Sequence, residues 1–268
     1  MKVLFVGPTL FDAVCEDRLS IAPDLVCQPP ACQGDIARAV LRGATVIGLV
    51  DGRYEDVAAP WHKEILFALG EGVTVLGAGS LGALRAAECA SFGMIGIGQN
   101  FQRYVSGELV DDADVAQLHA PAEFGCFPIT EAFVNVEATI RQAESVGDLA
   151  ATEANALLAA ARRIFFKELT FAALAARFYE EPVAVDRLLQ CLARNRVDIK
   201  RLDALALVYA MSALPDKRHP QSRTWQLAEP ATWLTFINRL KAELECLDPL
   251  TGVMGQERRH SVPTAIAA

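Results

Sequence analysis

Residues Val73 to Glu88 read VTVLGAGSLGALRAAE. A short apolar run, a glycine-rich turn and then apolar positions at helical spacing spell strand, turn, helix. Gly77, Gly79 and Gly82 form G-x-G-x-x-G, the dinucleotide fingerprint, while Ser80 stands where a nucleophile would emerge from a sharp strand-to-helix turn. Both chemistries need glycines at this turn, so the turn alone does not choose between them.

Outward from this stretch, short apolar runs alternate with helical patterns. Lys2–Val6 ends at Gly7-Pro8-Thr9, and Thr45–Val50 ends at Asp51-Gly52. With Val73–Leu76 these read as buried parallel strands. Between them, Asp35–Arg42 and Pro60–Gly70 have apolar spacing near 3.6, and Pro60 suits a first helical position. The alternation predicts an α/β fold, an N-terminal parallel-sheet core with flanking helices and right-handed crossovers. From about Thr130 the pattern is helix alone: 130–144, 152–167, 170–179, 183–194, 200–213 and 231–247. The expected organisation is a core over 1–130, an all-helical C-terminal part over 131–247 and a flexible tail over 248–268.

Composition narrows the function classes. The 268 residues are 52% hydrophobic and 22% charged, enough to bury a large core. A net charge of −8 without a clustered basic face argues against nucleic-acid binding. No apolar run reaches the roughly 20 residues of a membrane span, and MKVLFVGPTL has the wrong flanks for a signal peptide, so the expected location is cytoplasmic. Seven scattered cysteines, with no C-x-x-C, suggest neither a zinc site nor a disulfide framework.

Topology weighs against the dinucleotide. A fingerprint normally follows the first strand and needs a carboxylate roughly 20 residues on, at the end of the next strand. That place here is Ile95-Gly96-Ile97-Gly98, which has none. The serine reading gains from Lys63. In a βαβ crossover the start of the helix after Pro60 shares a sheet edge with the turn carrying Ser80. The positive end of the helix dipole there favours a neutral amine. A Ser80-Lys63 pair would need oxyanion donors, and the Leu81 and Gly82 amides at the next helix start are the candidates. Arg85 could hold a carboxylate, and Asp51 could orient Lys63. The plainer alternative leaves Ser80 as an N-cap and Lys63 as a solvated surface residue. His62, His119 and the acidic group Glu108, Asp111, Asp112 and Asp114 read as solvated loops rather than a metal site.

The ordered blocks VGPTL (Val6–Leu10), GDIARAV (Gly34–Val40), IGLVDG (Ile47–Gly52), WHKEILFAL (Trp61–Leu69), GSLGALRAAE (Gly79–Glu88), FGMIGIG (Phe92–Gly98), Gly107–Asp112 and HAPAEFG (His119–Gly125) together resemble the TfuA-like family. The resemblance covers roughly residues 3–140. It implies a partner of YcaO enzymes in peptide backbone thioamidation, the chemistry of ribosomal peptide modification. Such a protein would hydrolyse the C-terminal thiocarboxylate of a ThiS-like sulfur carrier and release sulfide, with no cofactor and no metal. The family's Ser-Lys pair falls on Ser80 and Lys63, with Thr9, Asp51, Gly79, Leu81, Gly82 and Arg85 as supporting positions. Where family members read Ser-Ser-Met-Gly or Ala-Ser-Met-Gly, this chain has Gly79-Ser80-Leu81-Gly82. The competing function is a non-catalytic adaptor that docks YcaO with its peptide or carrier.

Overall fold

The computed structural model describes residues 1–15, 18–19, 21–53, 57–219 and 224–247. The expected tail from Asp248 lies outside them. Three strands form where the apolar runs end in turn residues: β1 (Lys2–Phe5), β5 (Val46–Leu49) and β6 (Thr74–Ala78). Ile95–Ile97 pairs as β7, and Leu25–Gln28 adds β4, which the sequence reading passed over. The five make one parallel sheet in the order β4-β1-β5-β6-β7. A separate antiparallel ladder joins β2 (Val14–Cys15) to β3 (Arg18–Leu19).

Strand side chains alternate between the two faces, and the core divides accordingly. Val3, Phe5, Ile47, Leu49 and Val75 pack with α1 (Asp35–Leu41), α2 (His62–Gly70) and the inner side of α3 (Leu81–Cys89). Leu4, Val6, Val46, Val50 and Leu76 pack instead on Ala204, Leu207, Val208 and Met211 of α9 (Ile199–Ala213). A helix from the all-helical stretch thus covers one face of the sheet. α4 (Gln99–Ser106) follows β7, and four further helices build a second core: α5 (Phe133–Ser145), α6 (Ala151–Ala161), α7 (Phe171–Phe178) and α8 (Pro182–Arg194).

The change of pattern near residue 130 is therefore a change of secondary structure inside one compact unit, Met1–Leu227. The second unit, from Ala228, contains α10 (Ala231–Leu247), where the Trp233 and Phe236 rings lie 5.6 Å apart.

The strand order fixes where a site can form. From β1 the chain steps one way to β4 and then returns to β5 on the other side of β1. Side chains beyond the carboxyl ends of β1 and β5 flank the crevice that such a reversal opens, where open parallel sheets bind ligands. Thr9, Asp51 and the Ser80 turn all lie at this edge.

Candidate active site

β6 ends in a turn with little freedom. Gly79 is left-handed at φ 69°, and the Ser80 amide donates to the Ala78 carbonyl at 2.8 Å. A Cβ on Gly79 would come within 2.9 Å of the Lys200 carbonyl oxygen, so α9 starts hard against this turn. Gly82 is tighter still, because its Cβ would lie 1.8 Å from the Leu49 carbonyl oxygen. These glycines let α3 and α9 approach the sheet, a packing role that needs no nucleotide.

Ser80 is 2% exposed, and its side chain does not cap α3. The hydroxyl donates instead to the Val115 carbonyl at 3.3 Å. The N-cap alternative is thereby set aside. The Gly82 amide already donates to the Val50 carbonyl at 3.0 Å, which corrects its expected role as an oxyanion donor. Leu81, the first residue of α3, still presents its amide at the dipole's positive end. Arg85 also departs from expectation. Its guanidinium bonds the Pro60 carbonyl at 3.3 Å and Glu88 at 2.6 Å, tying α3 to the start of α2 instead of awaiting a substrate carboxylate.

Asp51 is 1% exposed and accepts from the Gly7 amide (2.9 Å), the Thr9 amide (3.0 Å) and the Thr9 hydroxyl (2.7 Å). It thus secures the Pro8–Leu10 turn over the crevice. Lys200 forms an ion pair with it, its Nζ 4.0 Å from Oδ1. Lys63 lies in the first turn of α2, as expected, and is half-buried.

Sequence reasoning missed Lys200. It is 1% exposed, and its Nζ donates to the Val115 carbonyl at 2.9 Å and to Gln117 Oε1 at 2.5 Å. The amine and the Ser80 hydroxyl therefore share one acceptor oxygen. Burial drives the Lys200 pKa down, against the opposing pull of Asp51, Asp198 and Glu131. Its backbone is held as firmly: Asn135 Oδ1 accepts from the Lys200 amide at 3.2 Å, and Asp198 caps α9 through the Arg201 amide at 2.9 Å. A signal did exist. Lys200 occupies the same stripe as Ala204, Leu207, Val208 and Met211, where helical periodicity calls for an apolar residue.

Two more α9-linked contacts brace the turn. Asp203 accepts from the Gln99 and Asn100 amides at 2.8 and 2.9 Å, capping α4, and Asn100 Nδ2 donates to the Gly79 carbonyl at 2.8 Å. Asn100 Oδ1 is buried with no hydrogen-bond partner among the described residues.

Beside this network lies a cavity of about 800 Å³, whose lining includes Arg38, Arg53, Lys167, His119, Cys126 and Gln117. Gln117 thus joins the cavity wall to the Lys200 amine. Cys126, which lines the cavity, is no ready nucleophile, since burial and Asp51 raise its pKa. The acidic residues are dispersed among structural partners: Glu108 pairs with Arg103, Asp114 with Arg162, and Asp111 caps a short turn at Ala113. Among the described residues no group of three or more His, Cys, Asp or Glu could hold a metal ion, and no helix is long and apolar enough to cross a membrane.

Residues 51–170 match the family model of the TfuA-like protein. Over that span the chain is TfuA-like. The TfuA-like region contains Asp51, Lys63, Ser80, Val115 and Gln117, while Thr9 and Lys200 come from outside it. No curated protein matches the chain.

Proposed function

We propose that this TfuA-like protein is a serine hydrolase that releases sulfide from the C-terminal thiocarboxylate of a ThiS-like sulfur carrier. The sulfide would pass to a YcaO enzyme for thioamidation of a peptide backbone, with all partners in the cytoplasm. The observation that carries the reading is a buried serine hydroxyl at a strand end, released from capping and sharing an acceptor with a buried lysine amine. Structural serines at helix starts normally spend their hydroxyl on the helix amides.

The steps balance without a cofactor. Ser80 Oγ attacks the thioacid carbonyl carbon as a lysine amine takes its proton. The C–S bond breaks, and sulfur leaves with the electron pair and the lysine's proton as hydrosulfide. Water then gives a proton to the amine and attacks the acyl-serine. The Oγ leaves and recovers that proton, and the new carboxylic acid of the carrier releases its remaining proton to solvent and ends as a carboxylate. The Leu81 amide and the start of α3 offset charge on the tetrahedral oxyanion. Arg53 and Lys167 line the cavity with Arg38, which is paired with Asp35, and with Glu123, so the wall offers both signs of charge to a chain terminus. Sequence position offers Lys63 as the base, and burial beside the serine offers Lys200.

The test is sulfide release from a thiocarboxylated ThiS-like carrier. Ser80→Ala should lower it by at least about 100-fold, the scale set by loss of a nucleophile acting with its base. Release by Ser80→Ala at the wild-type rate would discard the hydrolase. If the variant also kept YcaO-dependent thioamidation, the adaptor function would take its place.

A further inference from the structure

We propose that Asn100, in the first turn of the helix after β7, is a positioning residue for the nucleophile: its amide holds the Gly79–Ser80 peptide and thereby the direction of the Ser80 hydroxyl. The proposal rests on the hydrolase reading and concerns how its serine is aimed.

The serine turn does not hold itself. The Ser80 amide donates to the Ala78 carbonyl two residues back at 2.8 Å, with Gly79 between them at φ 69°. This is the γ-turn of positive φ, a rare and strained connection. Glycine enters it because the Lys200 carbonyl oxygen would stand 2.9 Å from a Cβ, yet glycine is the residue that resists rotation least. Two soft dihedrals, ψ of Gly79 and φ of Ser80, set the plane of the peptide between them. Rotating that plane re-aims the Ser80 side chain. One polar atom of the peptide, the N–H, is held within the turn. The other, the Gly79 oxygen, accepts from Asn100 Nδ2 at 2.8 Å.

The fold leaves the Asn100 side chain to this contact. Asp203 Oδ1 and Oδ2 accept from the Gln99 and Asn100 amides at 2.8 and 2.9 Å, so a carboxylate from α9 caps α4 in place of a residue of its own. Asp203 packs so closely on Gly98 that a Cβ there would lie 2.1 Å from its Cγ. Asn100 is fully buried, and turning its amide over would set Oδ1 against the Gly79 oxygen, acceptor against acceptor. Its Oδ1 has no partner among the described residues. A side chain kept for bulk alone would be apolar here, since a buried unpaired acceptor is destabilising and leucine has none. What Asn100 supplies is the N–H to the turn. The Ser80 hydroxyl itself is bonded to the Val115 carbonyl, so Asn100 acts on it through the backbone.

A fluorophosphonate ester reads the aim of Ser80 without the carrier. Oγ–P forms, P–F breaks, fluoride leaves with the bonding pair, and the Oγ proton passes to a lysine amine of the site. Rates are taken per folded protein over a range of ester concentrations. Asn100→Leu keeps the bulk and removes the N–H, and should lower the maximal labelling rate about 10- to 100-fold, the scale of a nucleophile held out of line. The ester concentration at half-maximal rate should stay within about threefold of wild type, because the lost contact is made to the turn and not to the ester. Asn100→Asp tests the hydrogen itself. The introduced carboxyl is buried beside Asp203, which raises its pKa; protonated it can donate to the Gly79 oxygen, and ionised it cannot. The rate of Asn100→Asp relative to wild type should therefore climb as pH falls, while the Asn100→Leu ratio stays level. Should Asn100→Leu fail to fold, Asn100→Asp carries the test alone. Labelling of Asn100→Leu within about threefold of wild type overturns the proposal, as does a loss confined to the half-maximal concentration. So does an Asn100→Asp ratio that does not respond to pH, and the hydrolase reading survives all three. Should wild type itself take no label at Ser80 and release no sulfide from the carrier, the hydrolase reading falls and the role of Asn100 with it.

Discussion

Two helices begin near the carboxyl edge of this sheet with a lysine in their first turn, and their interiors differ. In α2 the buried residues are Glu64, Ile65, Ala68 and Leu69, so Lys63 lies off the buried stripe. In α9 they are Ile199, Lys200, Asp203, Ala204, Leu207, Val208 and Met211, so Lys200 lies on it. The dipole acts on both amines alike. Water does not, and desolvation is the larger influence on a lysine. A helix start therefore desolvates an amine only where the stripe also turns it inward. The charge α2 buries is instead a carboxylate, Glu64, which accepts from the Gly34, Ala37 and Trp61 amides and holds the starts of α1 and α2 together.

The contrast breaks most severely at Gly79. Alanine there would hold a strained left-handed φ and press a methyl group against the Lys200 carbonyl, part of a helix backbone that cannot rotate away. Strain and overpacking together should cost about 2–4 kcal/mol by chemical denaturation. Fluorophosphonate labelling of the folded fraction should fall as well. A Gly79→Ala protein as stable as wild type would mean that α9 is not clamped to the serine turn.

The stability of Lys200→Met relative to wild type should depend on pH. A lysine whose folded pKa is depressed contributes stability above its unfolded value, near 10.5, and loses it as pH falls through the folded value. Wild type should therefore gain on Lys200→Met as pH rises toward 10.5, because the unfolded state no longer gains from binding the proton. Parallel denaturation curves at neutral and alkaline pH would show that Lys200 carries the same charge folded and unfolded.

Much of this was legible before the structure. Glycine-terminated apolar runs identified β1, β5 and β6, and Ser80 was placed at a strand-to-helix turn. β4 was not seen because its LVCQ run alternates between buried and half-buried positions after Pro23-Asp24 and has little length to show a period. Gly82 was misread as an oxyanion donor because a helix start implies a free amide, and only the contact with the Val50 carbonyl shows that this amide is engaged. Arg85 was misread because a helix surface offers a cation several carboxylates, and Glu88 one turn on is the nearer. Lys200 escaped because about 120 residues separate it from Ser80, and sequence spacing carries no record of contacts made by folding over such a length.

At α2, Glu64→Gln tests the buried carboxylate. Burial raises the Glu64 pKa despite the Gly34, Trp61 and Ala37 amides that oppose the shift. A raised carboxylate contributes stability that is fully present below its ordinary value of 4.5 and is lost as pH rises through the folded value. Glutamine keeps an acceptor but does not titrate, so wild type should hold its greatest advantage over Glu64→Gln at acidic pH and lose part of it toward neutrality. At neutral pH the remaining cost of the substitution should be about 1.5–3 kcal/mol, the weight of a hydrogen bond to a charged group. An advantage of wild type that grows with pH would reverse the assigned direction.

The smallest effect belongs to Lys63, and it sharpens the comparison most because both lysines satisfy the same local rule. Lys63→Ala changes a half-buried residue off the core stripe, so stability should shift by no more than about 0.5 kcal/mol. If Lys200 is the base, Ser80 labelling in Lys63→Ala should stay within threefold of wild type and keep the wild-type pH profile. Lys63→Arg should behave the same way. An arginine cannot accept a proton under protein conditions, so its activity would exclude Lys63 from proton transfer while preserving the charge at the α2 start. Weaker carrier binding by Lys63→Ala, restored in Lys63→Arg, would give Lys63 the role of an electrostatic contact for an anionic carrier. A 100-fold loss of labelling in both variants, with Lys200→Met unaffected, would return the base to α2 and make the buried amine of α9 a structural tie to Val115 and Gln117.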